Sequence, residues 1–345
     1  MSYIRPATHA GSWYSNNPTK LGLQLEAYFH KAESHSGEDS RHIIPGARIL
    51  IGPHAGFAYS GERLAETFTV WDTSKVKRIF MLGPSHHVYF KNSVMVSQFE
   101  WYETPFGNIP VDTETIEKLL HTKPQSHGHS LTHAKDSVFK YMSEEMDEDE
   151  HSFEMHAPFI YQKTHDLPQG IPKIIPILIS GMDEKLNDEV VSALLPYLEN
   201  EENHFIISSD FCHWGSRFGY TKYVPQKVDS LQLLTENLSS LGHSLRTKPN
   251  ELPIYKSIEV LDKAAMEIAS SGSYSDWKTY ISQTGNTICG QKPIAVVLKL
   301  IQKYRLAAGD TDKAAIFKWI GYSQSNQARR ASDSSVSYAS GYVTI

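Results

Sequence analysis

Three apolar segments of this chain each run straight into residues that bind metals or move protons. Ile49-Leu-Ile-Gly-Pro-His54 places a histidine just past an apolar run. Ile79-Phe-Met-Leu-Gly-Pro-Ser-His86-His87 repeats the arrangement, and Phe205-Ile-Ile-Ser-Ser-Asp210-Phe-Cys-His213 does so a third time. Imidazole serves as a metal ligand or as an acid–base group near neutral pH. Open α/β sheets bind ligands at the carboxyl ends of their strands. Three such ends can therefore bring His54, His86, His87, Asp210 and His213 to one pocket. A single histidine after a strand can simply cap a turn, but the repetition argues for a shared site. Two or three histidines with an acid suit Zn²⁺, Fe²⁺ or copper, and an added cysteine shifts the preference to Cu(I) or Zn²⁺. Cys289 lies before an expected helix, where the helix dipole stabilises a thiolate. It is equally readable as a small buried hydrophobe. Cys212, between Phe211 and His213, is expected to point away from the pocket.

Other polar groups offer weaker patterns. Glu150-His-Ser-Phe-Glu-Met-His156 lacks the His-Glu-x-x-His order of a zinc protease. On a helix its Glu150 and Glu154 share a face, as do His151 and Glu154. Such carboxylates can orient ligating histidines or act as acid or base. The alternative is an exposed polar helix start. His9 to Tyr14, with Trp13 and Tyr14, can line a pocket or pack the terminus. The loop with His121, His127, His129 and His133 has no ligand spacing. The run Glu144–Glu150 holds six acids and reads as solvated. No phosphate-binding or dinucleotide-binding glycine motif and no Gly-x-Ser-x-Gly is present, so no nucleotide cofactor is expected.

The elements that must position these groups alternate. Asn17-Pro18 caps a helix running to about residue 31. Strands are expected at 47–52, 78–83, 173–180 and 204–209, with late strands at 315–321 and 338–345. Pro176 marks its strand as an edge or a bulge. Helices are expected at 61–71, 113–121, 187–199, 226–241, 255–270, 273–281 and 292–304. The alternation predicts a single α/β domain over 1–345, with a largely parallel or mixed central sheet covered by helices. Residues 32–46 and 121–136 read as surface excursions.

Composition narrows the function classes. Net charge is −6 from 33 basic and 39 acidic residues, which does not suit a nucleic-acid coat or an anionic membrane. There is no 18-residue apolar run and no apolar leader, so neither membrane insertion nor secretion is expected. Two cysteines exclude a disulfide framework and favour a reducing compartment: cytoplasm, with the nucleus as a second location. Histidine is enriched at 17 residues in 345, which makes the search for ligating ones worthwhile.

Seven blocks in order then resemble the Memo family, named for mediating receptor-driven cell motility. They are His9–Tyr14, Pro53–Gly56, Leu82–His87, Asp147–His156, Ser208–Gly215, Asn286–Gly290 and Asp333–Tyr338. The resemblance is strongest to fungal members and runs from about residue 5 to the C-terminus. It implies a fold similar to class III extradiol dioxygenases and a metal site on His54, His86 and Cys289. Asp210, His213 and His87 would be the acid–base neighbours, with His151, Glu154, His156, Trp13 and Tyr14 around the pocket. The dioxygenase pattern has a carboxylate where this chain has Cys289, which argues against ring cleavage because thiolate changes the metal's charge and redox behaviour. The resemblance implies an intracellular copper- or iron-binding redox protein, with zinc as a further candidate. It would act in signalling for motility or for polarised and invasive growth. Two other readings stand beside it. One is a signalling adaptor with a relic pocket that binds proteins or phosphopeptides. The other is a metal-dependent oxygenase or hydrolase acting on a small substrate. Neither oligomeric state nor pathway is legible.

Overall fold

The computed structural model describes residues 3–35, 43–122, 137–242, 247–248, 250–310 and 316–345. Nine strands form the main sheet: β1 Ala47–Gly52, β2 Arg78–Pro84, β3 Val94–Val96, β4 Phe139–Tyr141, β5 Lys173–Ile179, β6 Asn203–Ser208, β7 His213–Trp214, β8 Lys318–Gln324 and β9 Ser335–Thr344. Their order is β7-β9-β1-β6-β2-β5-β3-β4, with β8 on the other edge of β9. The run β1-β6-β2-β5 is parallel, whereas β9 is antiparallel to β1, β7 and β8. Every residue of β1 and β6 is buried. That explains the apolar runs Ile49–Ile51 and Phe205–Ile207 at their centres, since a parallel strand covered on both faces has no solvent side to alternate towards. The sheet is mixed and helix-covered, as expected from the alternation, and is compatible with an extradiol dioxygenase-like fold.

The internal proline of β5 marks neither an edge nor a bulge. Pairing with β2 runs unbroken from Lys173 to Ile179. Lys173 N donates to Lys77 O, and Ile179 O accepts from Ser85 N, so the odd-numbered residues face β2. The even ones face the opposite side. There Asp112 N bonds Ile174 O, and β3 pairs only with Ile177 and Leu178. Pro176 falls in the gap between these partners, where no ladder donor is needed.

Asn17 caps the first helix, Pro18–His35, through Oδ1 to Lys20 N at 3.0 Å. That helix runs on through residues 32–35, past its expected end near residue 31. Helix Phe57–Thr69 begins directly after Gly56, so Pro53–Gly56 is the whole connection from β1. The expected helix 226–241 shrinks to Leu231–Glu236, because Ser230 caps it and Ser239–Ser240 pair with Lys222–Tyr223 instead. A three-stranded sheet of Ile4–Arg5, Trp101–Thr104 and Gly107–Pro110 has no counterpart in the sequence reading. Of the expected excursions 32–46 and 121–136, residues 36–42 and 123–136 lie outside the described residues, and so do His127, His129 and His133. His121 is an exposed helix cap whose Nδ1 bonds Glu117 O. Among the described residues, no helix is long and apolar enough to cross a membrane.

Candidate metal centre

The carboxyl ends of β1, β6 and β2 lie side by side, and the segments leaving them meet the turn Asn286–Gly290. His54 is held from three directions. Its backbone N donates to Asp210 Oδ1 at 2.8 Å, Nδ1 lies 2.7 Å from Ser208 Oγ, and Nε2 lies 3.2 Å from Cys289 Sγ. Ser208 Oγ spends its one proton on the Ser152 carbonyl at 2.6 Å. It can therefore only accept from His54, which puts the imidazole proton on Nδ1 and the lone pair on Nε2. The second lone pair of Ser208 accepts from His156 Nε2 at 3.0 Å.

His86 is oriented by a carboxylate. Its backbone N and Nδ1 reach the two oxygens of Glu150 at 2.9 and 2.8 Å. Burial acts to raise the Glu150 pKa, but the bonds from His86 outweigh it and hold the group at about 2. An ionised Glu150 cannot donate, so His86 donates from Nδ1, and in the neutral ring Nε2 carries the lone pair. A carboxylate on the far nitrogen of a ligating histidine fixes its tautomer in this way in metal sites. Cys289 Sγ accepts from Asp210 N at 3.2 Å. Burial, and then Asp210, push its thiol pKa well up. Donor atoms of His54, His86 and Cys289 all lie within 4.8 Å of one another. Burial, and after it the neighbouring histidines, drive the His54 pKa well down, so the ring is neutral at pH 7.

Close backbone approach sets this geometry. A Cβ on Gly290 would collide with the Ser209 side chain and come 2.8 Å from Ser208 O. Only glycine lets the residue after Cys289 sit against the end of β6. Gly83 plays the same part at the end of β2, where a Cβ would meet Ser152 Oγ at 2.6 Å and Phe153 at 2.9 Å. There the glycine admits the helix His151–Glu154 rather than a ligand.

A family model described as Memo-like protein matches residues 5–342. The chain is 42% identical to the MEMO1 family protein MHO1 of Saccharomyces cerevisiae, with 99% of each chain covered. The chain belongs to the Memo family. A Schizosaccharomyces pombe MEMO1 family protein is 37% identical over 97% of each chain. Protein MEMO1 of Danio rerio is 34% identical over 99% of this chain and 97% of its own. The higher identity to the two yeasts is consistent with a fungal member.

The remaining candidates of this Memo family chain separate into layers. His151 covers the centre: its ring stacks on His86 at 4.2 Å and packs against Trp13 at 4.5 Å and His54 at 5.2 Å. Burial lowers its pKa to about 3. His156 lies behind His54, on the far side of Ser208, and burial takes it to about 3 as well. It touches the centre only through that hydroxyl. His213 Nδ1 points at two carbonyls, Phe211 O at 2.9 Å and Thr287 O at 3.2 Å. Carbonyls only accept, so Nδ1 is the donor and, in the neutral ring, Nε2 carries the lone pair. Asp210 is buried, and burial raises its pKa. His87 is exposed, with its ring 6.2 Å from the His151 ring. Cys212 is fully buried against Thr287 and Asp262.

Glu150 and Glu154 do different work despite their shared helix face. Glu154 accepts from Arg5 Nη1 at 2.7 Å and from His9 N, His9 Nδ1 and Tyr14 Oη, each at 2.8 Å. Burial would raise it, but the bonds from His9 and Arg5 hold it at about 2. The acidic run is thus not simply solvated: Asp147 and Glu150 are buried and bonded. Sequence reasoning missed Arg5 and Ser208 altogether. Ser208 carried a signal, a hydroxyl at the last position of a buried strand, whereas Arg5 carried none.

Two outcomes follow from these layers. Ser208→Ala removes the acceptor that fixes the His54 tautomer, and metal affinity is expected to fall about 10–100-fold, read by competitive titration. Ser208→Thr, which keeps the hydroxyl, should recover much of that loss. The second outcome is acid lability through Glu154. A folded pKa near 2 against an ordinary 4.5 gives stability that is complete above about pH 4.5 and is lost as pH falls towards 2. The contribution is roughly 3 kcal/mol, so urea midpoints should drop steeply over that window and less steeply in Glu154→Gln.

Proposed function

We propose that this protein binds copper or iron through His54 Nε2, His86 Nε2 and Cys289 Sγ, and that it serves intracellular redox chemistry coupled to signalling for motility or polarised growth. One observation carries the reading: two imidazoles with their protons fixed on Nδ1 present bare nitrogens beside a cysteine sulfur, all within 4.8 Å. Two nitrogens and a sulfur suit Cu(I) well, and they also accommodate iron or zinc. A bound copper or iron would supply one-electron chemistry. The protein's own part is to hold the ligands and manage protons. Ser208 and Glu150 fix the two rings, and the Cys289 proton leaves when the sulfur becomes a ligand. His213 Nδ1 is committed to carbonyls, which leaves Nε2 as the acceptor in the neutral ring, and buried Asp210 accepts from His54 N through Oδ1 and donates its own N–H to Cys289 Sγ. The signalling role rests on the sequence blocks that resemble the Memo family.

An oxygenase or hydrolase reading draws on His213 as a base next to the same centre. Turnover of a catechol or amide panel by iron- or zinc-loaded protein would support it. The redox reading is tested by titrating metal-depleted protein with Cu(I) and Fe(II). One equivalent should bind in wild type, and His54→Ala should bind far more weakly. Undiminished stoichiometric binding in His54→Ala would sink the assignment.

A further inference from the structure

His86 belongs to two groups of donor atoms. His54 and Cys289 lie on one side, and Glu150 and His151 lie on the other. One donor atom from each of His86, Glu150 and His151 falls within 4.8 Å of the others. Glu150 Oε1 is 2.8 Å from His86 Nδ1 and 3.7 Å from His151 Nδ1. The second distance is too long for a hydrogen bond. Neither ring nitrogen of His151 has a hydrogen-bond partner among the described residues, although its side chain is only 11% exposed. Neither nitrogen is sealed from solvent, so both are open to an ion arriving from outside.

We propose that His86, Glu150 and His151 form an outer cation position that takes a borderline divalent ion such as Zn²⁺ or Co²⁺. Two imidazole nitrogens and one carboxylate oxygen are a donor set that Zn²⁺ accepts, and without sulfur it does not favour Cu(I). The two positions exclude each other through His86. The inner group uses Nε2 with the proton on Nδ1, and the outer group uses Nδ1 with the proton on Nε2. That proton moves between two nitrogens of one neutral ring by way of solvent, which reaches the 25% exposed His86 side chain, so charge and protons balance. His151, stacked on His86 with 30° between the ring planes, turns about its Cβ–Cγ bond to aim a nitrogen at the ion, and breaks no hydrogen bond in doing so. A divalent ion in the outer position withdraws His86 from the inner one. Excess zinc therefore competes with Cu(I) without touching Cys289.

The test uses the full-length chain and the ions alone. Cys289→Ser should still bind one Zn²⁺ or Co²⁺, and the bound Co²⁺ should show no thiolate charge-transfer band. Adding His151→Ala should weaken that binding by at least about tenfold. His151→Phe, which keeps the stacked ring and lacks the nitrogens, should weaken it equally while the circular dichroism stays native. Loss of all Zn²⁺ binding in Cys289→Ser would overturn the proposal. So would binding indifferent to both His151 variants, since the ion would then sit elsewhere. Cu(I) binding by wild type tests the proposed function separately, because the outer position neither needs Cys289 nor favours Cu(I).

Discussion

Cys289→Ser is expected to weaken Cu(I) binding by more than about 100-fold, a larger loss than outer-shell changes produce, with little change in fold. The sulfur is the soft member of the inner group, and serine offers a harder oxygen that must lose a far less acidic proton to ligate. The backbone around it is fixed independently of the side chain. Gly290 N donates to Ser209 Oγ at 3.0 Å, and Thr287 Oγ1 is bonded with His213 N at 2.9 Å. The turn should therefore hold its shape when sulfur becomes oxygen. Competition against a Cu(I) chelator of known affinity reads the loss directly. Equal affinities for the two proteins would remove Cys289 from the centre.

The second large effect is on stability. Arg5 is 1% exposed, and its guanidinium is bonded to the carboxylates of Asp147 and Glu154 and to the carbonyls of Pro6, Asp147, Glu148 and Glu150. Arg5→Met should cost about 3–5 kcal/mol, because removing one partner leaves buried charge uncompensated. The loss reaches the centre as well. Arg5 anchors the carbonyl of Glu150, which orients His86, and the carboxylate of Glu154, which holds His9 and Tyr14. Urea denaturation at neutral pH gives the magnitude. As pH falls towards 2 and Glu154 is protonated, the gap between variant and wild type should narrow. A gap independent of pH would mean that packing, not charge, sets the cost.

What the sequence made legible has a physical reason. β1, β2 and β6 are buried on both faces through their centres, so each carries an apolar run there, and each ends on residues unsuited to a strand interior. The strand-end histidines follow from those endings, and adjacency of the three strands brings His54 and His86 together. Short pieces such as Ile4–Arg5 and Gly107–Pro110 carry too few residues to show a period. Arg5 and Glu154 are 149 positions apart, and nothing local at either residue announces the other. The same holds for Ser208, which looks like a strand residue until its three partners are seen. The six-acid run misled because solvated and network-bound carboxylates have the same sequence, and only burial separates them.

Copper K-edge X-ray absorption on Cu(I)-loaded protein, wild type beside Cys289→Ser, reaches the central claim most directly. The expected wild-type spectrum contains one sulfur and two imidazole scatterers, and the sulfur shell disappears in the variant. A first shell of nitrogen and oxygen alone in wild type, or a sulfur shell that survives in Cys289→Ser, would contradict the assignment of His54, His86 and Cys289 as the metal centre.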